Sequence, residues 1–321
     1  MRRPLTVLGA GLALMALTGV IAHVVPWQQN RLIAVGSGAA YLMAPVPVAA
    51  ALLLVLRRRL LAGVAIVLTA VVVGLWLPVY VADALPSGGH RLTVLSANLG
   101  LGNADPDRVV AVARRADVDV VLLQELTEEA TAELHAAGLD ELLPHHVTDP
   151  RHGAAGVGLW SRHPVADGQT HDGLVFAAVS ARLDLGQGRP SPTVLTVHLP
   201  GPWPQPASDW LHDMGRLPHL LDDLATRADE TGSPVLVGGD FNATYDTAQF
   251  RQLLTGGYRD AAEQSGSGST ATYPAGSVVP PVIGIDHVLV RGAVGERVTT
   301  VSVPGSDHRA LLAVVVLPGL S

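Results

Sequence analysis

The sequence contains no cysteine, which excludes disulfides, thiolate zinc sites and cysteine nucleophiles. It is also poor in charge, since charged residues make up 15% of its 321 residues, against about 25% in an average soluble domain. The shortage is concentrated at one end, because Asp83 is the only one of the 28 acidic residues that lies before residue 86. A segment with so little charge is typical of a membrane-embedded region.

Three long apolar segments occupy this N-terminal region. They cover residues 5–25, 32–56 and 60–82. Each is long enough to cross about 30 Å of hydrocarbon as a helix. We therefore predict a membrane anchor of three transmembrane α-helices over residues 1–85 in contact with the lipid bilayer, followed by a short linker at 86–90. Pro45 and Pro47 predict a kink in the second segment.

The arginines of this region predict its orientation. Arg2 and Arg3 precede the first segment and Arg57–Arg59 join the second to the third. Positively charged flanks stay in the cytoplasm, so we predict a multi-pass protein of the cell membrane with residues 86–321 extracytoplasmic. The apolar segments contain no acidic residue and one histidine, His23, which favours an anchor over a transporter. An alternative for the first segment is a cleaved signal peptide.

From residue 91 the pattern changes to apolar strands that alternate with amphipathic helical segments. Predicted strands lie at 91–98, 118–126, 156–161, 173–185, 192–199, 234–242, 283–290, 297–303 and 310–317, and predicted helices at 105–116, 127–138 and about 205–229. Many strands with few helices predict one domain over 91–321, built of two sheets with helices outside. Residues 86–321 carry 15 arginines against 27 acidic residues, and this acidic balance makes nucleic acid an unfavourable partner.

Carboxylate, amide and imidazole side chains lie at the ends of the predicted strands. They are Asn98, Glu125, His198, Asp240, Asn242, Asp286, Asp307 and His308. Taken singly, Asn98, Asn242 and Asp286 have a structural explanation, since Asn and Asp cap turns and helices. As a set, without a Gly-x-Ser-x-Gly elbow or a P-loop, they are typical of a site for a hard, oxygen-preferring ion such as Mg²⁺.

The motifs around these residues carry a family resemblance. They are, in order, SANLG, LLQEL, GVGLWSRHP, TVHLP, GGDFNA, GIDHVLV and SDHRALL. The sequence thereby resembles the endonuclease/exonuclease/phosphatase (DNase I-like) superfamily over residues 91–317. The resemblance implies an α+β four-layer α/β/β/α sandwich with the site at one end of the two sheets. It also implies a hydrolase of phosphoric esters that uses Mg²⁺, with Mn²⁺ as the alternative ion.

The resemblance assigns roles to residues of this sequence. It implies a metal site made by Asn98, Glu125 and Asp307. It implies catalytic roles for His198, Asp240, Asn242, Asp286 and His308. In this interpretation Asp240, oriented by Asn242, activates the attacking water, and His308, held by Asp286, stabilises or protonates the phosphoryl group. Which group is the general base stays open.

Three further residues are predicted to bind substrate: Arg162, Trp203 and Tyr273. A surface salt bridge is the alternative for Arg162, and anchoring of a loop is the alternative for the two aromatic residues. We expect His287 to pack in the core, because alternate residues of a strand face opposite ways. The histidines of surface-like loops are predicted to be solvated, with a zinc cluster as the alternative: His145, His146, His152 and His163.

Two classes of substrate remain. The short tether, the acidic domain and the lack of long basic loops favour an extracytoplasmic phosphodiesterase or phosphatase that acts on a lipid-linked phosphate or pyrophosphate of the cell envelope. Three spans before an outer domain resemble the teicoplanin-resistance proteins of actinomycetes, which implies a contribution to glycopeptide resistance. The alternatives are a membrane-anchored surface nuclease that cleaves DNA or RNA, and a non-catalytic binding module. The sequence indicates no protein partner.

Overall fold

The structure, a computed structural model, describes residues 2–186, 189 and 191–319. Residues 2–80 form a helical region, and residues 90–319 form a domain of two stacked sheets, the sandwich domain. The helices of the helical region are α1 (Arg2–Val24), α2 (Asn30–Ser37), α3 (Ala39–Met43), α4 (Val46–Val55) and α5 (Arg59–Trp76), followed by a 3₁₀ turn at Leu77–Tyr80.

Two helices of the helical region are long and apolar enough to cross a membrane, at Arg2–Val24 and Arg59–Tyr80. A third span exists if Asn30–Ser37 and Ala39–Val55 count as one, although they are bent by 62°. The bend lies at Gly38, not at the prolines as the sequence predicted. Pro45 caps α4 and Pro47 lies in its first turn, where a residue without an N–H costs no helical hydrogen bond.

The sandwich domain contains twelve strands within its described residues. They are β1 (His90–Asn98), β2 (Val120–Gln124), β3 (His145–Asp149), β4 (Val157–Ser161), β5 (Val165–Thr170), β6 (Ala178–Leu183), β7 (Thr193–His198), β8 (Val235–Asp240), β9 (Arg259–Asp260), β10 (Asp286–Arg291), β11 (Val294–Ser302) and β12 (Arg309–Leu317). The first sheet has the order β11-β12-β1-β2-β4-β3 and the second has the order β5-β6-β7-β8-β10-β9.

Helices cover the outer face of each sheet. They are α6 (Pro106–Arg115), α7 (Glu128–Ala136) and α8 (Leu139–Leu142) on the first sheet, and α9 (Ser208–Thr231) and α10 (Ala248–Leu253) on the second, with α11 (Ala261–Gln264) beside β9. The sheets bury a common core between them and a second apolar layer under each helix group. The result is the α/β/β/α layering that the sequence predicted.

Strand β1 shows why the strand sequences are nearly continuous apolar runs. Leu92 and Val94 face the core between the sheets, whereas Leu95 and Ala97 face the helices of the first sheet. A strand covered on both faces gains from apolar residues at every position. On the helix side, Asp105 caps α6 by accepting a hydrogen bond from the Arg108 N–H at 3.1 Å, which satisfies one of the free donors of the first turn.

Three edge strands, β3, β5 and β9, were not predicted. Strand β9 has only two residues, Arg259 and Asp260. The sequences of β3 and β5, HHVTD and VADGQT, are polar and partly exposed, so they lack the apolar run that identifies a buried strand. His145 and His146 were expected in a loop and instead belong to β3, which pairs with β4 through His145↔Ser161. Edge strands carry polar residues because one side has no neighbouring strand to cover it.

The pairing register brings strand ends together at one edge. In the first sheet β1 and β2 are parallel, with Asn98 opposite Gln124. In the second sheet β7 and β8 are parallel, with His198 opposite Asp240, and the antiparallel β10 begins at Asp286 opposite the same Asp240. These polar residues therefore lie where their strands end or begin, at a single end of the sandwich.

The helical region packs directly on the sandwich domain. His23 Nδ1 lies 3.0 Å from a carboxylate oxygen of Asp246, and both side chains are buried. The amide of Gln249 donates to the Trp27 carbonyl at 2.6 Å, and Ile33 of α2 is fully buried in the apolar layer beneath α9. The only histidine of the apolar segments thus has its acidic partner on the sandwich domain.

The glycine before Asp240 provides a test of how closely strands β7 and β8 approach each other. A Cβ on Gly239 would lie 1.9 Å from the Val197 carbonyl oxygen, and φ there is +154°. Gly239→Ala should lower the free energy of unfolding by roughly 2–4 kcal/mol, from overpacking and backbone strain. Gly215→Ala is the matched control, because it lies in α9 with no atom near its Cβ position, and it should raise stability by about 0.5–1 kcal/mol. Equal effects in chemical unfolding of the full chain would contradict this packing.

Candidate active site

Asn98 joins the two sheets at the end where the polar residues converge. Its amide nitrogen lies 3.2 Å from Oε1 of Glu125, which follows β2 of the first sheet, and 3.0 Å from Oδ2 of Asp240, which ends β8 of the second sheet. Its amide oxygen accepts the Gly100 N–H at 2.9 Å. Asn98 is 2% exposed, so its hydrogen bonds are made away from water and fix the amide orientation.

Asp240 lies at the centre of the cluster. One of its oxygens, Oδ2, lies 3.5 Å from His198 Nε2 and 3.6 Å from His308 Nε2. Its other oxygen accepts the Asn242 N–H at 2.8 Å. Burial raises the pKa of Asp240, but the positive charges of His308 and His198 outweigh burial and hold the pKa below its usual value. Asp240 is therefore a carboxylate at neutral pH.

His308 forms a buried pair with Asp286. Its Nδ1 lies 2.9 Å from Asp286 Oδ2, so the opposite nitrogen faces Asp240. Burial lowers the pKa of His308, but the charges of Asp286 and Asp240 outweigh burial and raise the pKa to about 10. Burial and the neighbouring Asp240 raise the pKa of Asp286 in turn. The pair holds a proton near Asp240 across the neutral range.

His198 approaches Asp240 from the second sheet. Its Nδ1 lies 2.8 Å from the Ala154 carbonyl, which accepts the Nδ1 proton and so points Nε2 at Asp240. The ring packs against Phe176 with 5.0 Å between centroids. Burial lowers the pKa of His198, but the hydrogen bond and charge of Asp240 raise it above its usual value overall. The charges around Asp240 therefore favour the protonated form of both imidazoles that flank it.

Two residues of the site adopt left-handed backbone conformations. Glu125 has φ +56° immediately after β2, and Asn242 has φ +48° two residues after β8. Such conformations cost free energy outside glycine, although Asn tolerates them better than most residues. At Asn242 the turn lets the side-chain amide donate to the Leu199 carbonyl at 2.8 Å. At Glu125 it turns the carboxylate towards Asn98 and the Leu101 N–H.

The donor atoms of the site fit a hard divalent cation. Ligand atoms of Asp240, Asp286 and His308 all lie within 4.8 Å of one another, but the protonated His308 has no lone pair to offer, so the carboxylates of this cluster are its metal-binding groups. Asp286 Oδ1 is buried without a hydrogen-bond partner among the described residues, so it has a free lone pair. The Glu125 side chain is 15% exposed, which leaves its carboxylate reachable. Oxygen donors of this kind suit Mg²⁺ or Mn²⁺.

The three predicted metal ligands occupy different positions around this cluster. Asn98 and Glu125 are hydrogen-bonded to each other and, through Asn98, to Asp240. Asp307 is exposed, and it precedes His308 in the turn before β12. The assignment of these three residues to a metal stays a prediction.

Of the three predicted substrate contacts, the structure places one, Tyr273, against the cluster. The ring of Tyr273 lies 5.1 Å from the ring of His308. Trp203 is 52% exposed and lies in the loop after β7. The Tyr273 ring can line the site, and substrate contact by Trp203 stays a prediction.

Arg162 is far from the other predicted residues. It follows Ser161, which pairs with Val120 at the start of β2 and so at the opposite end of the sheet. Its guanidinium lies 2.6 Å from an Asp117 carboxylate oxygen and donates to the Val118 carbonyl at 2.8 Å. The structure therefore contains the salt bridge that was the alternative to substrate binding for Arg162. The prediction that Arg162 contacts substrate is corrected accordingly.

The remaining histidines lie outside the cluster. His287 is buried between the Asp260 carboxylate at 2.8 Å and the Ala243 carbonyl at 2.9 Å, as expected of a packing residue. His146 Nδ1 lies 3.8 Å from an Asp140 carboxylate oxygen, and His163 Nε2 lies 3.6 Å from Asp119. Within the described residues, the acidic and imidazole groups of the proposed site are the one set close enough together to hold an ion.

Ser306 is a positioning residue that the sequence did not single out. Its hydroxyl donates to the Asn98 carbonyl at 2.7 Å and accepts the His308 N–H at 3.0 Å. It thereby ties the turn that carries His308 to the end of β1. The signal was present in the SDH motif, where a serine two residues before the histidine can form such a turn.

The sequence model of the endonuclease/exonuclease/phosphatase family matches residues 95–308. That range includes every residue of the cluster and more than half of the chain, so the chain belongs to this family. Members of the family are phosphoric ester hydrolases and generally depend on a divalent metal. No curated protein is significantly similar to the chain.

Solved structures share the fold. TDP2 from D. rerio, in complex with a single-strand DNA product, is 17% identical with a TM-score of 0.58, and the match covers 70% of this chain and 98% of that one. Truncated Caenorhabditis elegans TDP2 is 16% identical with a TM-score of 0.56, covering 70% and 97%. A Bacteroides vulgatus member of the family is 17% identical with a TM-score of 0.55, covering 71% and 99%.

At such identities the likeness concerns the fold alone.

The charge of the cluster can be tested at His308. In the EDTA-treated full chain, ring NMR signals of His308 should stay in the protonated form from pH 6.5 to about pH 9 and change only near pH 10. Asp286→Asn removes the carboxylate that contributes most to this, so the His308 pKa should fall by at least about one unit, since burial then opposes the proton. His171 in the same sample is the control, because burial and charges outside the cluster set its pKa. A His308 that titrates near its ordinary 6.5 in the unsubstituted chain would contradict the assignment.

Proposed function

We propose that the protein is a divalent-metal-dependent phosphohydrolase, using Mg²⁺, that acts on a lipid-linked phosphate or pyrophosphate at the outer face of a cell membrane. The observation that carries the proposal is the contact between the helical region and the loop beside the cluster. The Tyr41 hydroxyl of α3 donates to the Val282 carbonyl, and the Val282 N–H donates to the Tyr273 carbonyl at 2.9 Å. Tyr273 is the residue whose ring lies against His308.

The proposed chemistry divides among groups already in contact. The carboxylate of Asp240 accepts a proton from the attacking water, and Asn242 holds that carboxylate through its N–H. Protonated His308 lies on one side of Asp240 Oδ2 and His198 on the other, where both can stabilise the charge on a phosphoryl oxygen. Glu125 with Asn98 or Asp307 would hold a divalent ion, which would stabilise that charge further.

The lipid part of the proposal rests on where the cluster lies. Helices apolar enough to span a bilayer pack on the same loop as Tyr273, so a substrate retained in the membrane needs to move only its headgroup. The net charge of the segment after residue 85, with 27 acidic residues against 15 arginines, favours a compact phosphate over a long polyanion. The resemblance to teicoplanin-resistance proteins supports a contribution to glycopeptide resistance and the extracytoplasmic orientation that the arginines predict.

A surface nuclease is the second candidate, and the DNA bound by a protein of the same fold favours it. A DNA-binding surface would need to neutralise several phosphates, which makes affinity fall steeply with salt. Substrate comparison at two salt concentrations therefore separates the candidates.

The test uses the full chain in lipid nanodiscs with Mg²⁺. Phosphate release from a polyprenyl pyrophosphate should exceed nicking of plasmid DNA, and should change less than about twofold between low and physiological salt. EDTA should abolish release and added Mg²⁺ should restore it. Asp240→Asn is the matched inactive control, because it keeps size and hydrogen bonding and loses the base. Efficient plasmid nicking that collapses as salt rises would replace this proposal with the nuclease.

A further inference from the structure

A cavity of about 460 Å³ lies between the helical region and the sandwich domain. Small-molecule sites typically span roughly 300–1000 Å³. Its wall on one side comes from α3 and the end of α5, including Ala40 and Trp76, and on the other from the loop segments that hold Thr270 and Ile283. Ile283 pairs with Tyr273 in an isolated β-bridge, so one thin layer of backbone separates the cavity from the residue that contacts His308.

The charged groups around the cavity already have partners. Asp246 is paired with His23 at 3.0 Å, and Asp260 is paired with His287 at 2.8 Å. Glu263 accepts two hydrogen bonds from Arg259. A ligand in the cavity therefore meets neutralised polar groups and the apolar side chains of the two helices, which suits a hydrocarbon chain better than an ion.

One donor in the wall is unsatisfied. Trp76 Nε1 is buried and has no hydrogen-bond partner among the described residues. A buried indole N–H normally finds an acceptor, and leaving one unpaired costs free energy. The free N–H indicates a ligand that is apolar over most of its length and carries at least one acceptor oxygen.

The rim of the cavity lies on the exposed surface of the helical region. Tyr41, Val73 and Tyr80 line the cavity and are each more than half exposed. Val73 lies in the candidate span Arg59–Tyr80, so a bilayer around that span reaches the rim. A hydrocarbon chain can therefore enter sideways from the membrane without crossing water.

We infer that this cavity binds one hydrocarbon chain of a membrane amphiphile, with an ester or phosphate oxygen of that molecule accepting the Trp76 N–H. The chain comes either from a bilayer lipid or from the isoprenoid part of a substrate; the chemistry of the site is the same for both. Binding of the chain is independent of the hydrolytic activity proposed above.

The experiment is photolabelling of the full chain in nanodiscs with a phosphatidylcholine that carries a diazirine in its acyl chain. Labels on the membrane helices alone are expected from the bilayer itself. The cavity predicts additional labels on the sandwich-domain wall, at residues 268–270 and 282–284. Ala40→Trp fills the cavity and should remove these wall labels, lowering them about tenfold or more, which corresponds to about 1.4 kcal/mol of binding.

The matched control is Ala51→Trp, the same substitution on an exposed position of α4 that does not line the cavity. It should leave the wall labels unchanged. Trp76→Phe keeps an aromatic ring and removes the N–H, and should lower wall labelling by roughly fivefold, the effect of one hydrogen bond. A wall without labels in the unsubstituted chain, or wall labels that survive Ala40→Trp, would overturn the inference.

A kinetic comparison identifies the source of the chain. Farnesyl phosphate and dimethylallyl phosphate share an allylic phosphate ester and differ only in chain length. If the substrate chain occupies the cavity, Ala40→Trp raises KM for farnesyl phosphate and leaves kcat/KM for dimethylallyl phosphate unchanged, and farnesyl phosphate competes with wall labelling. If a resident lipid occupies it, Ala40→Trp changes neither constant while wall labelling is still lost. Both kinetic results support chain binding in the cavity and differ only in the source of the chain. The labelling experiment above tests the binding itself.

Discussion

The buried amide of Asn98 is the contact on which the rest of the site depends. It bridges a carboxylate of the first sheet, Glu125, and a carboxylate of the second, Asp240, at 3.2 and 3.0 Å. Two carboxylates this close repel unless a donor or a cation lies between them. The amide supplies the donor, and it does so only because both sheets end at the same level. The alignment of the two sheets therefore determines how close the charged groups of the site lie and how they are paired.

The glycines before Asp240 show how closely the strands must approach. Gly239 lies against the Val197 carbonyl, and a Cβ on Gly238 would lie 2.4 Å from Leu122 of the opposite sheet. Side chains at these positions would push Asp240 away from Asn98. The site then concentrates charge: burial alone would favour a neutral Asp240 and a neutral His308, but each stabilises the charged form of the other.

Much of the sandwich domain could be predicted from the sequence, because its strands are buried on both faces and its polar residues follow them. Helix α9, predicted at about 205–229, occupies Ser208–Thr231. Strands β3 and β5 could not be predicted, since an edge strand needs no apolar run. The bend at Gly38 was missed for another reason, since it depends on α2 docking through Ile33 on a domain far along the chain.

At the site, the sequence identified the residues that converge but not their mutual contacts. The pairs His308–Asp286 and Asn98–Asp240 join residues 22 and 142 positions apart, and no local pattern contains such information. Arg162 illustrates the converse error: a motif position suggested phosphate, whereas the turn between α6 and β2 supplied Asp117 as a nearer partner. Contacts across the sheet, and between the helical region and the loops, needed the folded structure.

The most direct test of the central claim compares the Mg²⁺ dependence of Glu125→Gln and Asp240→Asn in the full chain, with unfolding followed in parallel. If Glu125 holds the ion and Asp240 activates the attacking water, Glu125→Gln needs a higher Mg²⁺ concentration for activity and recovers part of its turnover at high Mg²⁺. Asp240→Asn instead loses roughly a hundredfold or more at every Mg²⁺ concentration. Folded variants that both keep the turnover of the unsubstituted chain would contradict a metal-dependent hydrolase at these residues.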